Sequence, residues 1–446
     1  MKNITDYREK HVLVLGLAKS GYETAKLLHR LGAVVTVNDG KDLTDNQDAR
    51  ELKEMGVTVI DKEHPLTLLD THELIVKNPG IPYHVPLLKE AVSRNIPIIT
   101  EVELAYQINE GTTIAITGTN GKTTVTSLIG DMFSHSPETG LLSGNIGVVA
   151  SKVAQTAGPM DTMITELSSF QLMGIRQYKP HIAVITNIYS AHLDYHGTQD
   201  DYVQAKMTIF KNQTAEDYLV FNDAQRHLLQ DFPVHSQVSY FSPDHETNGA
   251  YIIDDHIYFQ GEVICSVGQV VLPGKHNLEN ILASIAVCKL SGITNEAIIA
   301  TLTTFEGIKH RTQYVATING VKYYNDSKAT NTLATTFALD AFKARVHWLC
   351  GGLDRGNGFE DLDHHVGNVE RMYIFGETTP KLIAFAQQHA IPYEVCEDVK
   401  DAAAKTAHFT QPGQVVLLSP ACASWDQYPT YEVRGDEFIQ QVKKMG

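Results

Sequence analysis

The stretch "AITGTNGKTTVTSLI" (115–129) has the ingredients of a phosphate-binding loop at an irregular spacing. An ordinary P-loop reads G-x-x-x-x-G-K-[ST]. Here Gly121, Lys122 and Thr123 close the pattern, but the fifth residue back from Gly121 is Ile116, and the first glycine is Gly118. Gly118, Thr119, Asn120, Gly121, Lys122, Thr123 and Thr124 lie between an apolar run, Ile114–Thr117, and an amphipathic segment. In that context backbone N–H groups and a helix N-terminus face an anion. Lys122 would bring an ammonium to the β- and γ-phosphates of a nucleotide, and Thr123 a hydroxyl to magnesium. The shorter spacing, with no N-K-x-D motif after it, points away from an ordinary GTPase. Magnesium prefers hard oxygen ligands and keeps several waters, so one or two carboxylates suffice. Glu166, closing the apolar run in "MITELSSFQL" (163–172), stands where P-loop proteins carry a metal-binding carboxylate. The next run, "VITNIYSAHLDYHG" (184–197), leads into His192, Asp194 and His196. Alone, H-x-D-x-H reads as a polar loop before it reads as zinc. A magnesium role gains weight once Glu166 ends a neighbouring strand.

Two further features bear chemistry. "GLAKSG" (16–21) keeps the outer glycines of G-x-G-x-x-G, with Ala18 in place of the middle one that lets a backbone approach a pyrophosphate. Asp39 closes the following strand, where an acidic residue would contact a ribose. The bare motif fits NAD, a nucleotide sugar or a ligand-free turn. Lys206, in "DDYVQAKMTIF" (200–210), would share a helix face with Tyr202, Val203, Met207 and Phe210. A lysine on an apolar stripe either snorkels to water or is held neutral and reactive by burial. The residues alone leave both open.

These groups need a scaffold, and the chain is long enough for two to four domains at 446 residues. Composition is that of a soluble globular protein, no apolar run reaches membrane-spanning length, and "MKNITDYREK" lacks a signal peptide's apolar stretch. A cytoplasmic monomer without membrane partners is expected. The formal charge of −16 weighs against nucleic-acid binding. Five scattered cysteines (265, 288, 350, 396 and 422) without a C-x-x-C pair argue against disulfides or a cysteine zinc site and suggest small buried apolar residues.

Strands at 11–17, up to Asp39, and at 57–60, 73–77 and 96–99 alternate with helical spacings, as in a Rossmann-like block with a parallel sheet. A second block starts near Thr112, with strands at 162–166 and 181–186, an antiparallel patch in "AYIIDDHIYFQGEVICSV" and a helix near 276–290. A third, after "HRTQYV", has strands at 346–350, 371–375 and 414–418. The reading is an α/β chain of three domains, 1–103, 104–308 and 309–446: Rossmann-like, P-loop ATPase-type with a mainly parallel sheet, and Rossmann-like again.

In order, "GTNGKTT" (118–124), "GNIG" (144–147), "ELSSFQL" (166–172), "TNIYSAHLD" (186–194), Lys206, "GKHNLENILA" (274–283), "HRTQ" (310–313) and "NDSKATN" (325–331) resemble the ATP-dependent Mur ligases of bacterial cell-wall synthesis. The irregular loop is that family's own form. Its closing segment, "LLSPACASWDQYPTYEVRGDEF" (417–438), with "GLAKSG" and "NDSKATN", is most similar to the branch that adds D-glutamate to UDP-N-acetylmuramoyl-L-alanine. The resemblance implies an acyl-phosphate mechanism using ATP and Mg2+. It places Lys122 and Thr123 on phosphates and magnesium, and Glu166 and His192 on magnesium. Asn145, Asn280, Arg311 and Asp326 match positions that contact ATP. Lys206 matches a lysine carbamylated by carbon dioxide. For the UDP-sugar it implies Lys19, Ser20, Asp39, Lys41, Asn78 and Gly80; for D-glutamate, Lys328, Thr330, Arg355, Ser424 and Tyr431. Lys41 replaces an arginine of the family pattern, and Arg355 a common lysine. Both keep the charge without keeping its geometry. Rival readings are a related ligase adding another amino acid or extending folate with glutamate, an NAD-dependent oxidoreductase built on "GLAKSG", and a non-catalytic nucleotide-binding regulator.

Overall fold

Runs of β-branched residues broken by glycine turns set the strands, and the helices between them supply the crossovers. The computed structural model describes residues 1–189, 191, 193–272 and 274–446, with Leu193, Asp194 and His276 described by backbone only. The chain forms two compact units: Met1–Gln269 with His276–Thr303, and Val270–Lys275 with Thr304–Gly446. The first unit holds two sheets and the second holds one, so three α/β layers follow one another along the chain.

The first sheet contains β1 (His11–Leu15), β2 (Val34–Asp39), β3 (Thr58–Asp61), β4 (Leu74–Lys77) and β5 (Ile98–Ile99), all parallel, in the order β3-β2-β1-β4-β5. Strand order reverses beside β1, and ligands of such sheets bind where the strands' carboxyl ends part at that point. The ends of β1 and β4 lead into the Gly16 turn and into Asn78–Gly80. The two outer glycines of "GLAKSG" have physical reasons. Gly16 has φ +95°, and a Cβ on Gly21 would fall 2.0 Å from the Gly16 carbonyl oxygen.

The second sheet comprises β6 (Thr112–Thr117), β7 (Gly140–Gly144), β8 (Thr162–Glu166), β9 (Ile182–Ile185), β10 (Tyr218–Asn222), β11 (Gln237–Ser242), β12 (Ala250–Ile253), β13 (His256–Phe259) and β14 (Glu262–Ser266). Its order is β14-β13-β12-β11-β10-β9-β6-β8-β7. Pairing is parallel from β7 to β12, and the expected antiparallel patch is β12–β14. β6 runs between β8 and β9, which brings the loop after it beside Glu166 and Thr186. Strands β7, β10 and β11 were not legible as separate runs.

The third sheet holds β15 (Gln313–Ile318), β16 (Val321–Asn325), β17 (Val346–Gly351), β18 (Val369–Phe375), β19 (Tyr393–Val395) and β20 (Val415–Leu418), in the order β15-β16-β20-β17-β18-β19. Four parallel pairings make its Rossmann-like body, and an antiparallel edge strand, β15, is added. The residues Gln313–Val315 of "HRTQYV" therefore belong to the sheet rather than preceding it.

One apolar core runs from Tyr7 and Val12 through Leu167 and Tyr178 to Leu229, joining the first two sheets. Two others line the faces of the third sheet, around Trp348 and around Phe438. All five cysteines are buried and unbridged, as expected. Among the described residues no helix is long and apolar enough to cross a membrane.

Candidate active site

The loop after β6 is shaped from two sides. Gly118 has φ +146°, and a Cβ there would fall 1.9 Å from Thr186 Oγ1; Gly121 has φ +80°, and its Cβ would fall 2.1 Å from Asn280 Oδ1. Both glycines are therefore required, one by the end of β9 and one by the helix Lys275–Leu290. The loop is pinned to the segment after β9: Thr119 N donates to the Asn187 carbonyl (2.8 Å), Asn120 N to Asn187 Oδ1 (2.9 Å), and Thr186 Oγ1 to the Asn120 carbonyl (2.6 Å). Tyr189 N donates to Thr119 Oγ1 at 2.9 Å, and that hydroxyl pairs with the Tyr202 hydroxyl at 3.0 Å. Gly121 then caps the helix Lys122–Ser134. The first-turn N–H groups there, including those of Thr123 and Thr124, have no intrahelical partner, which suits an anion.

Two ammonium groups converge on this loop. Lys122 Nζ donates to the carbonyls of Gly118 (3.0 Å) and Thr119 (2.8 Å), and Lys206 Nζ donates to the same Gly118 carbonyl at 2.7 Å. Lys206 sits on the helix Gln199–Met207 and is 2% exposed, with Tyr202, Met207 and Phe210 buried beside it. Tyr202 and Met207 share its buried side as expected, Val203 is half-buried, and Phe210 lies beyond the helix in the 3-10 turn Thr208–Phe210; the snorkelling alternative is excluded, because the lysine tip turns inward. Burial first, and then the charge of Lys122, hold Lys206 well below the ordinary lysine range, against the opposing pull of Glu166.

Glu166 ends β8 in register with Ile116 of β6 and Gly144 of β7. It is 1% exposed. Its Oε1 accepts from Asn145 Nδ2 at 2.8 Å, and its backbone carbonyl accepts from Asn145 N at 2.8 Å. Its Oε2 is buried and accepts no hydrogen bond among the described residues. An orphaned buried carboxylate oxygen is costly unless a cation meets it. This hard oxygen donor, near a phosphate-type loop, fits a divalent magnesium ion. His192 lies outside the described residues, and Asp194 is described by backbone only. His196 is buried, with Nε2 2.9 Å from Ser169 Oγ and its ring stacked on Phe170. Among the described residues no group of three or more His, Cys, Asp or Glu side chains forms a metal cluster.

At the first sheet's crevice, the helix Lys19–Arg30 begins at Lys19, and Asn78 Nδ2 donates to Ser20 Oγ at 3.3 Å. Gly80 N donates to Asn78 Oδ1 at 3.2 Å. Asp39 braces both turns, accepting from Leu17 N (2.7 Å) and from Lys41 N (2.9 Å). Lys19, Ser20, Asp39, Lys41, Asn78 and Gly80 thus gather at the carboxyl edge of one sheet.

In the second unit, Asp326 follows β16 and accepts from Thr312 N (3.0 Å) and Ser419 Oγ (2.9 Å). Burial pushes its carboxyl up to about 7. Arg311 Nε is buried without a hydrogen-bond partner among the described residues. Lys328 Nζ lies 5.4 Å from the centre of the Tyr431 ring, and the Arg355 guanidinium lies 4.9 Å from that of the exposed Trp425, beside buried Ser424. Thr330 N donates to the Lys328 carbonyl at 2.8 Å. The sequence reading missed the residue joining these segments. Arg434 is fully buried and donates to Ser327 Oγ (3.0 Å) and to the carbonyls of Ser327 (2.9 Å), Cys422 (3.1 Å) and Gly351 (3.4 Å). It thereby ties the segments that lead to Lys328, Ser424 and Arg355. Its signal was an arginine four and eight residues before Phe438 and Val442, on the apolar stripe of a helix.

Three family models match the chain: a Mur ligase MurD-like N-terminal domain over residues 10–100, a Mur ligase middle domain over 116–288, and a Mur ligase glutamate ligase domain over 310–422. A Macrococcus caseolyticus protein named UDP-N-acetylmuramoylalanine–D-glutamate ligase is 67% identical, covering 99% of this chain and 100% of its own. A Staphylococcus carnosus protein of the same name is 59% identical, covering 97% of each. The solved structure of a Thermotoga maritima MurF ligase in complex with ADP superposes with a TM-score of 0.57 at 16% identity, covering 99% of this chain and 97% of that one, and supports the fold.

Proposed function

Because the chain belongs to the Mur ligase family, we propose that it joins D-glutamate to UDP-N-acetylmuramoyl-L-alanine at the expense of ATP, as a step of peptidoglycan precursor synthesis. The observation that carries this reading is full-length likeness to relatives bearing that name, 67% and 59% identical. The loop geometry supports it chemically. A carboxylate is a poor acylating group. The terminal carboxylate of the sugar substrate attacks the γ-phosphorus of ATP, and ADP departs. The amine of D-glutamate then attacks the resulting acyl phosphate, loses a proton, and expels inorganic phosphate. Little covalent chemistry falls to the protein; it positions the reactants and neutralises charge.

We assign Gly118, Thr119, Asn120, Gly121, Lys122, Thr123 and Thr124 to the phosphates of ATP, with Asn145, Asn280, Arg311 and Asp326 as further nucleotide contacts. Thr123, Glu166 and His192 would hold Mg2+, with a carbamate on Lys206. The ion, when bound, neutralises charge on the transferring phosphoryl group. Lys206 suits carbamylation because only a neutral amine adds to the carbon of CO2, losing a proton as the N–C bond forms. Lys19, Ser20, Asp39, Lys41, Asn78 and Gly80 are assigned to the UDP-sugar, and Lys328, Thr330, Arg355, Ser424 and Tyr431 to D-glutamate. On this reading the functional domains are 1–103, 104–308 and 309–446, in a cytoplasmic monomer.

The test is phosphate release with the three substrates and Mg2+ supplied together and then omitted singly. Turnover is expected only with all four, and with D-glutamate far above L-glutamate. Equal rates with either enantiomer, or without D-glutamate, would overturn the assignment.

A further inference from the structure

Lys77 closes β4 and is 1% exposed, and among the described residues it forms no ion pair. Its ammonium donates instead to the carbonyls of Asn78 (3.3 Å), Pro79 (3.1 Å) and Ile81 (2.9 Å) and to the Tyr195 hydroxyl (3.2 Å). The Tyr195 hydroxyl reaches the Pro79 and Ile81 carbonyls as well, each at 3.0 Å. Aromatic faces enclose the cation, with the ring centres of Tyr83 and Tyr195 at 4.9 and 5.9 Å. Both rings belong to the junction of the first two sheets: Tyr83 donates to the Met173 carbonyl at 3.3 Å, and Tyr195 packs on Phe170 at 4.2 Å.

Desolvating a lysine with no carboxylate beside it is costly. Burial pulls Lys77 down to about 7. What the lysine secures is a shape. Three carbonyl dipoles of one short turn point inward at one cation. The same turn carries the Asn78 side chain, which donates to Ser20 Oγ and accepts from Gly80 N, at the crevice where the strand order reverses. Tyr195 lies three residues after His192, so the same cation joins this turn to the segment that follows a proposed metal ligand.

We propose that Lys77 and Tyr195 form a positioning pair for the sugar nucleotide, holding the Asn78–Ile81 turn in its binding shape and anchoring it to the central sheet's site. The inference rests on the function proposed above. With the ammonium gone, the turn carbonyls lose their common donor and rotate toward water, and the Asn78 side chain and Gly80 N–H move with them.

The test measures steady-state constants for Lys77→Met, Tyr195→Phe and the double variant, together with calorimetric binding of UDP-N-acetylmuramoyl-L-alanine. Lys77→Met is expected to raise KM and Kd for the sugar nucleotide about tenfold, the size of one charge-assisted hydrogen bond. KM for ATP and for D-glutamate should stay within about twofold. Tyr195→Phe, a milder change that keeps the ring packing, should raise the same two constants about threefold. It should add little in the Lys77→Met background, because the pair acts as one unit. Unchanged sugar-nucleotide constants in both single variants, a parallel rise in all three KM values, or fully multiplicative effects would overturn the inference. Native protein that binds the sugar nucleotide but releases no phosphate with D-glutamate would sink the functional reading alone, and the calorimetric arm would still decide on Lys77. Native protein that does not bind the sugar nucleotide would overturn both.

Discussion

Lys122 and Lys206 both donate to the Gly118 carbonyl, and two ammonium groups that close repel one another. That repulsion adds to burial in holding Lys206 well below the ordinary lysine range, which favours its neutral form. Lys206 is buried, whereas Lys122 keeps partial contact with solvent. An uncharged amine behind a phosphate-type loop is the form that CO2 requires. Lys206→Ala should therefore lower turnover on the order of a hundredfold while leaving the fold intact. On the carbamate reading proposed above, acetate should restore part of that rate by standing in for the carbamate. Full activity of the variant, measured by phosphate release with circular dichroism confirming the fold, would refute the role. The sequence showed which helix face Lys206 occupies but not where its tip goes. That depends on a carbonyl 88 residues away in the chain. Arg434 was overlooked for a related reason, because its partners come from three distant segments.

At the scale of elements, the helix Glu101–Ile108 joins the first sheet to the second through two buried carboxylates. Glu103 accepts from the backbone amides of Arg176 (2.9 Å), Gln177 (2.9 Å) and Tyr178 (3.1 Å), and Glu101 accepts from Ser151 N. Burial raises Glu101 to about 7 from its ordinary 4.5. A carboxyl whose folded pKa is raised binds its proton more tightly when folded, so its contribution to stability falls as pH rises from 4.5 to 7. Glu101→Gln removes the titration while keeping an acceptor for Ser151 N. Its melting temperature relative to the native chain should rise between pH 5 and pH 8, reflecting at most about 3 kcal/mol. A difference that does not vary with pH would contradict the shift. Nothing local in "EVELAYQI" marks these glutamates as buried, because their partners lie 50 and 73 residues away in the chain. The strands were more legible, because β-branched runs after glycine turns have one cheap conformation. The β15–β16 hairpin was also written in the sequence, as Asn319–Gly320 between Ile318 and Val321, both turn residues at positive φ, but it went unread.

Across the whole molecule, three successive α/β blocks were visible in the order of strands and helices. That the first two share one core was not, because its members come from distant stretches such as Tyr7, Tyr178 and Leu229. The cysteines illustrate what such burial means in practice. Cys265 and Cys288 lie in the first unit and Cys350, Cys396 and Cys422 in the second, all interior and unbridged. Burial raises the thiol pKa of each of the five, so native sulfur is both shielded and a weak nucleophile. The thiols become chemical witnesses to breathing motions: a sulfhydryl reagent can reach each one only when the structure around it opens. Native protein should react slowly with Ellman's reagent, and denatured protein should titrate all five thiols at once. Mapping which cysteines are marked first would rank the two units by how readily they open, with no engineered label.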